Sequence, residues 1–152
     1  MIELIDPIIS SNKVDISTGL NVHYLEASKN NNNQPIALLL HGFPELSFSW
    51  RKIIPILAYE GFRVIAPDMR GYGLTSGGTK KYDKNISEYS LLNLTTDILS
   101  LISALKINKV DLLVGHDAGS SVAGMSALIR PDIFKSVVMM SAPFTGAPNI
   151  DS

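Results

Sequence analysis

The sequence predicts an α/β fold: a mostly parallel sheet opened by an N-terminal β-hairpin and covered by helices on both faces. Three observations predict it. Short continuous apolar runs bounded by turn residues, PIALLL at 35–40, FRVIAP at 62–67 and KVDLLVG at 109–115, have the composition of strands buried on both faces. Segments with apolar residues at helical spacing separate these runs, and alternation from residue 35 to 141 reads as right-handed crossovers building a parallel sheet. Ahead of them, VDISTGLNVHYLEA alternates about Thr18-Gly19, the pattern of a hairpin over residues 13–27.

In chain order, the hydrophilic SKNNNNQ at 28–34 cannot pack and is a surface loop, PIALLL is the first buried strand, and HGFPELSFSW is the loop that follows. Trp50, Ile53, Ile54 and Leu57 recur at helical spacing, with Gly61 placed to end that helix and Pro55 placing its regular start near itself. After FRVIAP comes a polar loop with six glycines and threonines between 71 and 79. Leu91, Leu94, Ile98, Leu101, Ile102 and Leu105 mark a long amphipathic helix. KVDLLVG then gives a strand, SSVAGMSALI at 120–129 a helix, and FKSVVMMS at 134–141 a last strand. APFTGAPNIDS has loop composition and brings no helix to cover that strand.

The 152 residues suit one domain, numbered 1–152 throughout, a size that buries roughly 70 % of its unfolded surface. Thirteen basic against fourteen acidic residues, with a pI near 6.3, give no electrostatic reason to expect nucleic acid or an anionic membrane as partner. Small, near-neutral ligands remain. The absence of cysteine excludes disulfides and thiolate metal sites and fits a reducing compartment. MIELIDPIIS carries acids where a secretory leader carries bases, and no apolar run approaches a membrane span, so a soluble cytoplasmic protein is expected.

One stretch concentrates the chemistry. In VGHDAGSS, residues 114–121, Asp117 stands where a buried strand passes into a helix, with Gly115 and Gly119 two residues either side. In an open parallel sheet, ligands gather beyond the carboxyl ends of the strands. The spacing is that of a nucleophile elbow, G-x-S-x-G, with aspartate in place of serine. A carboxylate at a helix N-terminus is already ionised, and it can displace a leaving group from an sp3 carbon to form an ester that water must then hydrolyse. The alternative is that Asp117 merely caps the helix. HGFPE at 41–45 follows PIALLL and brings a second loop to the same edge, where the backbone N–H groups of Phe43 and Ala118 are candidates for an oxyanion hole. His41, Gly42, Pro44, Gly115, His116 and Gly119 are the supporting loop residues.

Taken together and in this order, HGFPELSFSWR (41–51), VIAPDMRGYG (64–73) and VGHDAGS (114–120) resemble the α/β-hydrolase superfamily, and within it the epoxide hydrolases. The likeness runs from about Ile16 to Pro148 and covers the N-terminal half of that family's catalytic domain. It implies that Asp117 opens an epoxide ring, that Phe43 and Ala118 supply oxyanion contacts, and that the Phe43–Pro44 bond can be cis. Haloalkane dehalogenases are similar in using the aspartate, but they hold the halide with a tryptophan where this chain has Ala118 and with a donor near the HG motif, where Phe43 has none. Fluoroacetate dehalogenases are similar in HGFP but carry arginine at the position of Ala118. The resemblance therefore implies a small apolar epoxide and water as reactants, with no metal or organic cofactor.

The family's mechanism further requires a histidine base, an acid to orient it and, usually, two lid tyrosines, all after the nucleophile. After Asp117 this sequence has no His, Tyr or Trp, and its later acids are Asp132, beside Pro131, and Asp151. Ser141 occupies the region where some relatives place the orienting acid. Of the earlier residues, His23 reads as structural, His41 as a loop brace, and His116 as pointing away from its neighbour. Tyr24, Tyr59, Tyr72, Tyr82 and Tyr89 have core or surface roles by default, and Asp68 with Arg70 reads as an ion pair bracing its loop. The expectation is a truncated epoxide hydrolase-like chain with incomplete turnover, exposing an unpaired sheet edge prone to self-association. The rivals are a dehalogenase using the same aspartate and a non-catalytic half-domain that pairs with a complementary chain.

Overall fold

A computed structural model describes residues 5–29, 33–78 and 86–142. The chain runs β1 (Ile9–Asp15), β2 (Asn21–Ala27), β3 (Ile36–Leu40), a 3-10 turn (Ser47–Trp50), α1 (Ile53–Tyr59) and β4 (Arg63–Pro67). It continues through a second 3-10 turn (Ile86–Tyr89), α2 (Leu91–Ala104), β5 (Leu112–His116), α3 (Ala118–Ile129) and β6 (Val137–Met140). The expected elements lie in the expected order. Tyr82, Pro148 and Asp151 fall outside the described residues.

The sheet order is β1-β2-β4-β3-β5-β6. β1 pairs antiparallel with β2, and β2 with β4, while β4, β3, β5 and β6 run parallel to their neighbours. The chain leaves β3 through α1 to reach β4 on one side, then crosses by α2 to β5 on the other. That reversal opens a crevice beyond the carboxyl ends of β3 and β5.

Period-2 alternation along each buried strand divides the core between the two sheet faces. Leu38, Leu40, Ile65 and Leu113 meet Ile98 and Ile102 of α2 and Val122 and Ala123 of α3. Ala37, Leu39, Val64, Ala66 and Val114 meet Trp50 and, from α1, Ile54 and Ala58. Strands with apolar residues at every position are thus explained by helices on both faces.

Several boundaries differ from the sequence reading. β1 begins at Ile9 rather than near residue 13, because pairing with β2 extends to Ile9↔Ala27 although the outer residues of an edge strand need not be apolar. α1 begins at Ile53, which puts Pro55 in the first turn, where its missing N–H costs nothing. Ile53, expected on the buried face, is 42 % exposed, and Ala58 packs against the sheet with Ile54 and Trp50. α3 begins at Ala118, two residues earlier than its apolar pattern.

Among the described residues β6 pairs only with β5 and forms one edge of the sheet, with Val138, Met139 and Met140 each 43–44 % exposed. The expected apolar edge is present. Among the described residues, no helix is long and apolar enough to cross a membrane.

Candidate active site

β5 delivers Asp117 directly to the first residue of α3 through a turn in which Asp117 adopts φ 51°, ψ −121°. A non-glycine residue in this region is strained and has to be held by its surroundings. Its backbone is held from both sides: the Asp117 N–H donates to the Met140 carbonyl of β6 at 2.9 Å, and the Asp117 carbonyl accepts from the Ser120 N–H at 2.9 Å. The Ser120 hydroxyl sits between the carbonyls of Gly115 (2.7 Å) and Met140 (2.9 Å) and accepts from the Met140 N–H (3.1 Å).

The two flanking glycines are required by close approach. A Cβ on Gly119 would strike the carbonyls of Leu40 and His41, and one on Gly115 would strike the backbone of Gly119. The helix can therefore start immediately beyond the ends of β3 and β5. A Cβ on Gly42 would lie 2.6 Å from the Asp117 Cβ, so the loop after β3 also packs directly against the elbow.

That contact aims the loop at the carboxylate. The Phe43 N–H donates to Asp117 Oδ1 at 3.0 Å, across 74 residues of sequence. Phe43–Pro44 is cis. The Phe43 N–H, followed by that of Ala118, holds the Asp117 carboxyl below its ordinary value of 3.8. The side chain makes no hydrogen bond capping α3, so the helix-cap alternative does not describe it. Of the two N–H groups named from the sequence, that of Phe43 is hydrogen-bonded to the carboxylate of the named aspartate, and that of Ala118 favours its charge.

The supporting residues form two braces. His41 is fully buried; its Nδ1–H donates to the Gly42 carbonyl at 2.9 Å, and its Nε2 accepts the Met69 N–H at 3.0 Å, which fixes a neutral tautomer. Its ring meets Tyr72 edge-on, centroids 5.0 Å apart. The His116 Nδ1–H donates to Glu45 Oε2 at 3.0 Å, and the same oxygen accepts the Gly42 N–H at 3.0 Å. His116, and after it the Gly42 N–H, hold the Glu45 carboxyl below its ordinary range. His23 is structural, with Nδ1 2.7 Å from Asp68 and Nε2 2.7 Å from the Ser11 hydroxyl.

Burial lowers the pKa of His41 from 6.5, outweighing the Gly42 carbonyl and the nearby acids. The folded ring resists a proton that the unfolded ring accepts, so its stabilising contribution is complete above 6.5 and is lost as the pH falls through the folded pKa. The thermal midpoint is expected to drop between about pH 7 and about pH 5, with a smaller drop in His41→Asn. Equal slopes in the two proteins would assign the drop to other groups.

One expected pair is not formed. Asp68 and Arg70 do not bind each other: Asp68 accepts from the N–H groups of Ser47 (2.8 Å) and Leu74 (3.0 Å) and from His23, while Arg70 grips Asp97. Burial works against the charge of Asp68, but the Leu74 and Ser47 donors prevail and its pKa is lowered. The two side chains brace the loop separately, from β2 and the HGFP loop on one side and from α2 on the other.

Two residues near the site carried little signal in the sequence. Glu45 lay within HGFPE without an assigned role. The phenol of Tyr72 has its pKa raised by burial and then by the charge of Asp117, so it stands within electrostatic reach of the carboxylate. Among the described residues, no group of three or more His, Asp or Glu could hold a metal ion.

A family model described as the alpha/beta hydrolase fold matches residues 35–151. An epoxide hydrolase of Caballeronia sordidicola is 43 % identical over 131 residues, which are 86 % of this chain and 37 % of the relative. Epoxide hydrolase 3 of Siraitia grosvenorii is 43 % identical over 110 residues, 72 % of this chain and 33 % of its own length. Among solved structures, epoxide hydrolase I of potato superposes with a TM-score of 0.81 at 37 % identity, covering 93 % of this chain and 43 % of that one. The Vigna radiata epoxide hydrolase VrEH1 gives 0.79 at 39 % identity, covering 90 % of this chain and 41 % of its own. The chain thus spans about a third of the length of these curated relatives.

Proposed function

Since this chain belongs to the α/β-hydrolase fold family, we propose that it carries the nucleophilic half of an epoxide-opening site, with Asp117 as nucleophile and the N–H groups of Phe43 and Ala118 as its oxyanion donors. The observation that carries this reading is the Phe43 N–H on Asp117 Oδ1 at 3.0 Å, at the strand-to-helix elbow. It leaves Oδ2 as the attacking atom. Oδ2 attacks a ring carbon from the side opposite the ring oxygen, the C–O bond breaks, and the released oxygen takes a proton from solvent water, which regains one when the ester is hydrolysed, leaving a β-hydroxyalkyl ester on Asp117. Water then adds to the ester carbonyl carbon, and the negative charge develops on Oδ1, the atom that the Phe43 N–H already meets, with the Ala118 N–H as the second donor of the proposal. Collapse of that intermediate releases a vicinal diol and restores the carboxylate. Only water is consumed, and no metal or organic cofactor takes part.

Water needs a base, and the chain has three histidines. His23 and His41 have both ring nitrogens engaged, and His116 is turned to Glu45. The ester is therefore expected to form faster than this chain hydrolyses it. Incubation with styrene oxide followed by intact-protein mass spectrometry is expected to show one persistent equivalent of adduct, mapped to the peptide containing Asp117 and missing from Asp117→Ala. An adduct that survives in Asp117→Ala, or none in the parent chain, would overturn the assignment.

The relatives' names favour an epoxide over a halide as the electrophile. The cysteine-free, near-neutral composition fits a single cytoplasmic domain without a nucleic-acid or membrane partner, and the exposed edge at β6 fits self-association.

A further inference from the structure

At the end of the sheet opposite Asp117, where β3 and β4 begin and the chain turns from α2 into β5, lies a cavity of about 430 Å³. Its volume is that of a small-molecule site. Glu26, Gln34, Arg63, Lys106, Asn108 and Lys109 are among the residues that line it, and epoxide opening at Asp117 uses none of them.

Three cations and one acid thus surround this space, in a chain whose formal net charge is −1. Arg63 gives its Nε–H to Glu26, which cancels the acid, and its Nη groups make no further hydrogen bond among the described residues. Lys106 and Lys109 make no hydrogen bond or ion pair among the described residues, although Lys109 acts at longer range on Asp132, which Arg130 already holds. Cations gathered about one cavity repel one another until an anion lies between them.

The backbone at Lys106 is an independent sign. Lys106 follows Leu105, the C-cap of α2, with φ 55°, the left-handed position at which glycine ends a helix at least cost. The Lys106 N–H donates to the Ser103 carbonyl at 3.0 Å, and the Ile107 N–H to the Ile102 carbonyl at 2.9 Å. The backbone therefore closes the helix without help from the ammonium group. Attraction to the helix dipole rewards a cation anywhere in the last turn and does not call for one at the strained position. A lysine stands where glycine would fit better, and its side chain lines the cavity.

We propose that this cavity binds a small phosphate monoester, with its dianionic phosphoryl group among Lys106, Lys109 and Arg63 and its polar remainder beside Asn108 and Gln34. A dianion matches the excess of positive charge, whereas a single carboxylate leaves part of it uncompensated. Phosphoryl oxygens also suit the Arg63 guanidinium, whose planar fork donates in pairs.

The test is isothermal titration calorimetry of the protein with glycerol 3-phosphate at constant ionic strength, with inorganic phosphate and succinate as comparison ligands. Glycerol 3-phosphate is expected to bind one equivalent, about threefold or more tighter than either comparison ligand. Lys106→Gly and Lys109→Gln are each expected to weaken it about fivefold or more, and Lys106→Arg less than about twofold. Lys106→Gly is also expected to unfold about 2–4 °C higher, because glycine relieves the strain at this position, so that its lost affinity is not lost folding. Absence of saturable binding, or equal affinity in the parent chain, Lys106→Gly and Lys109→Gln, would overturn the site. Binding of inorganic phosphate or succinate as tight as that of glycerol 3-phosphate would overturn the assignment to a phosphate monoester.

Discussion

Asp117→Gly is expected to give a protein that unfolds at a higher temperature and forms no adduct with any epoxide. Asp117 holds φ 51°, ψ −121°, a conformation that costs a side-chain-bearing residue about 1–3 kcal/mol. Glycine removes that strain and loses about 0.5–1 kcal/mol to its greater freedom in the unfolded chain. The Phe43 N–H released by the substitution belongs to an exposed residue, so water takes the carboxylate's place. The net gain is about 1 kcal/mol, a rise of about 3–4 °C in the thermal midpoint. Activity goes the other way, because in the proposed reaction the carboxylate is the bond-forming group. A lower midpoint would mean that the contact from Phe43 to Asp117 outweighs the strain, and a surviving adduct would place the nucleophile elsewhere.

Asp97→Ala is expected to be the most damaging substitution for stability among those considered, at about 3–5 kcal/mol in urea unfolding. The Arg70 and Asp97 side chains are only 9 % and 7 % exposed. They pair through two bonds, Nε to Oδ2 at 2.7 Å and Nη2 to Oδ1 at 2.8 Å. Asp97 Oδ1 also accepts the Thr18 hydroxyl at 2.7 Å. One carboxylate thereby ties the β1–β2 turn and the loop after β4 to α2. Its loss leaves a buried guanidinium with Glu88, 3.7 Å away, as its remaining acid among the described residues, and that distance is too long to replace the paired hydrogen bonds. The double variant Arg70→Met, Asp97→Leu is expected to recover most of the loss, since burying neither charge avoids the desolvation that an unpaired one suffers. A single-variant loss under about 1 kcal/mol would show that the pair is solvated and acts as a surface ion pair.

The contrast between Asp97 and Asp117 shows which features the sequence made legible. Asp117 could be found because its local constraints are written next to it: Gly115 and Gly119 are where close backbone approach forbids a Cβ, and the run from Lys109 to Gly115 announces the strand that delivers it. HGFPE carried the second half of the site in the same way, as a loop directly following a buried strand. Asp97 sits in the amphipathic pattern of α2 with nothing in its neighbourhood to mark a partner 27 residues earlier. Glu45 and Tyr72 were obscure for the same reason, since their contacts with His116 and with the charge of Asp117 join separate strand ends.

The sequence by itself determined the strands and helices, their order, and the elbow, because periodicity and small-residue spacing are local and a buried strand has to be apolar wherever its neighbours lie. Only the tertiary structure decided that Phe43 meets Asp117 across 74 residues, that His41 is locked neutral, that His116 turns to Glu45, and that Asp68 and Arg70 part company for His23 and Asp97. Those outcomes depend on the order β4-β3-β5-β6. Hydrogen-bond partners are chosen by which strand ends lie side by side, and adjacency in a parallel sheet is set by crossovers rather than by position along the chain.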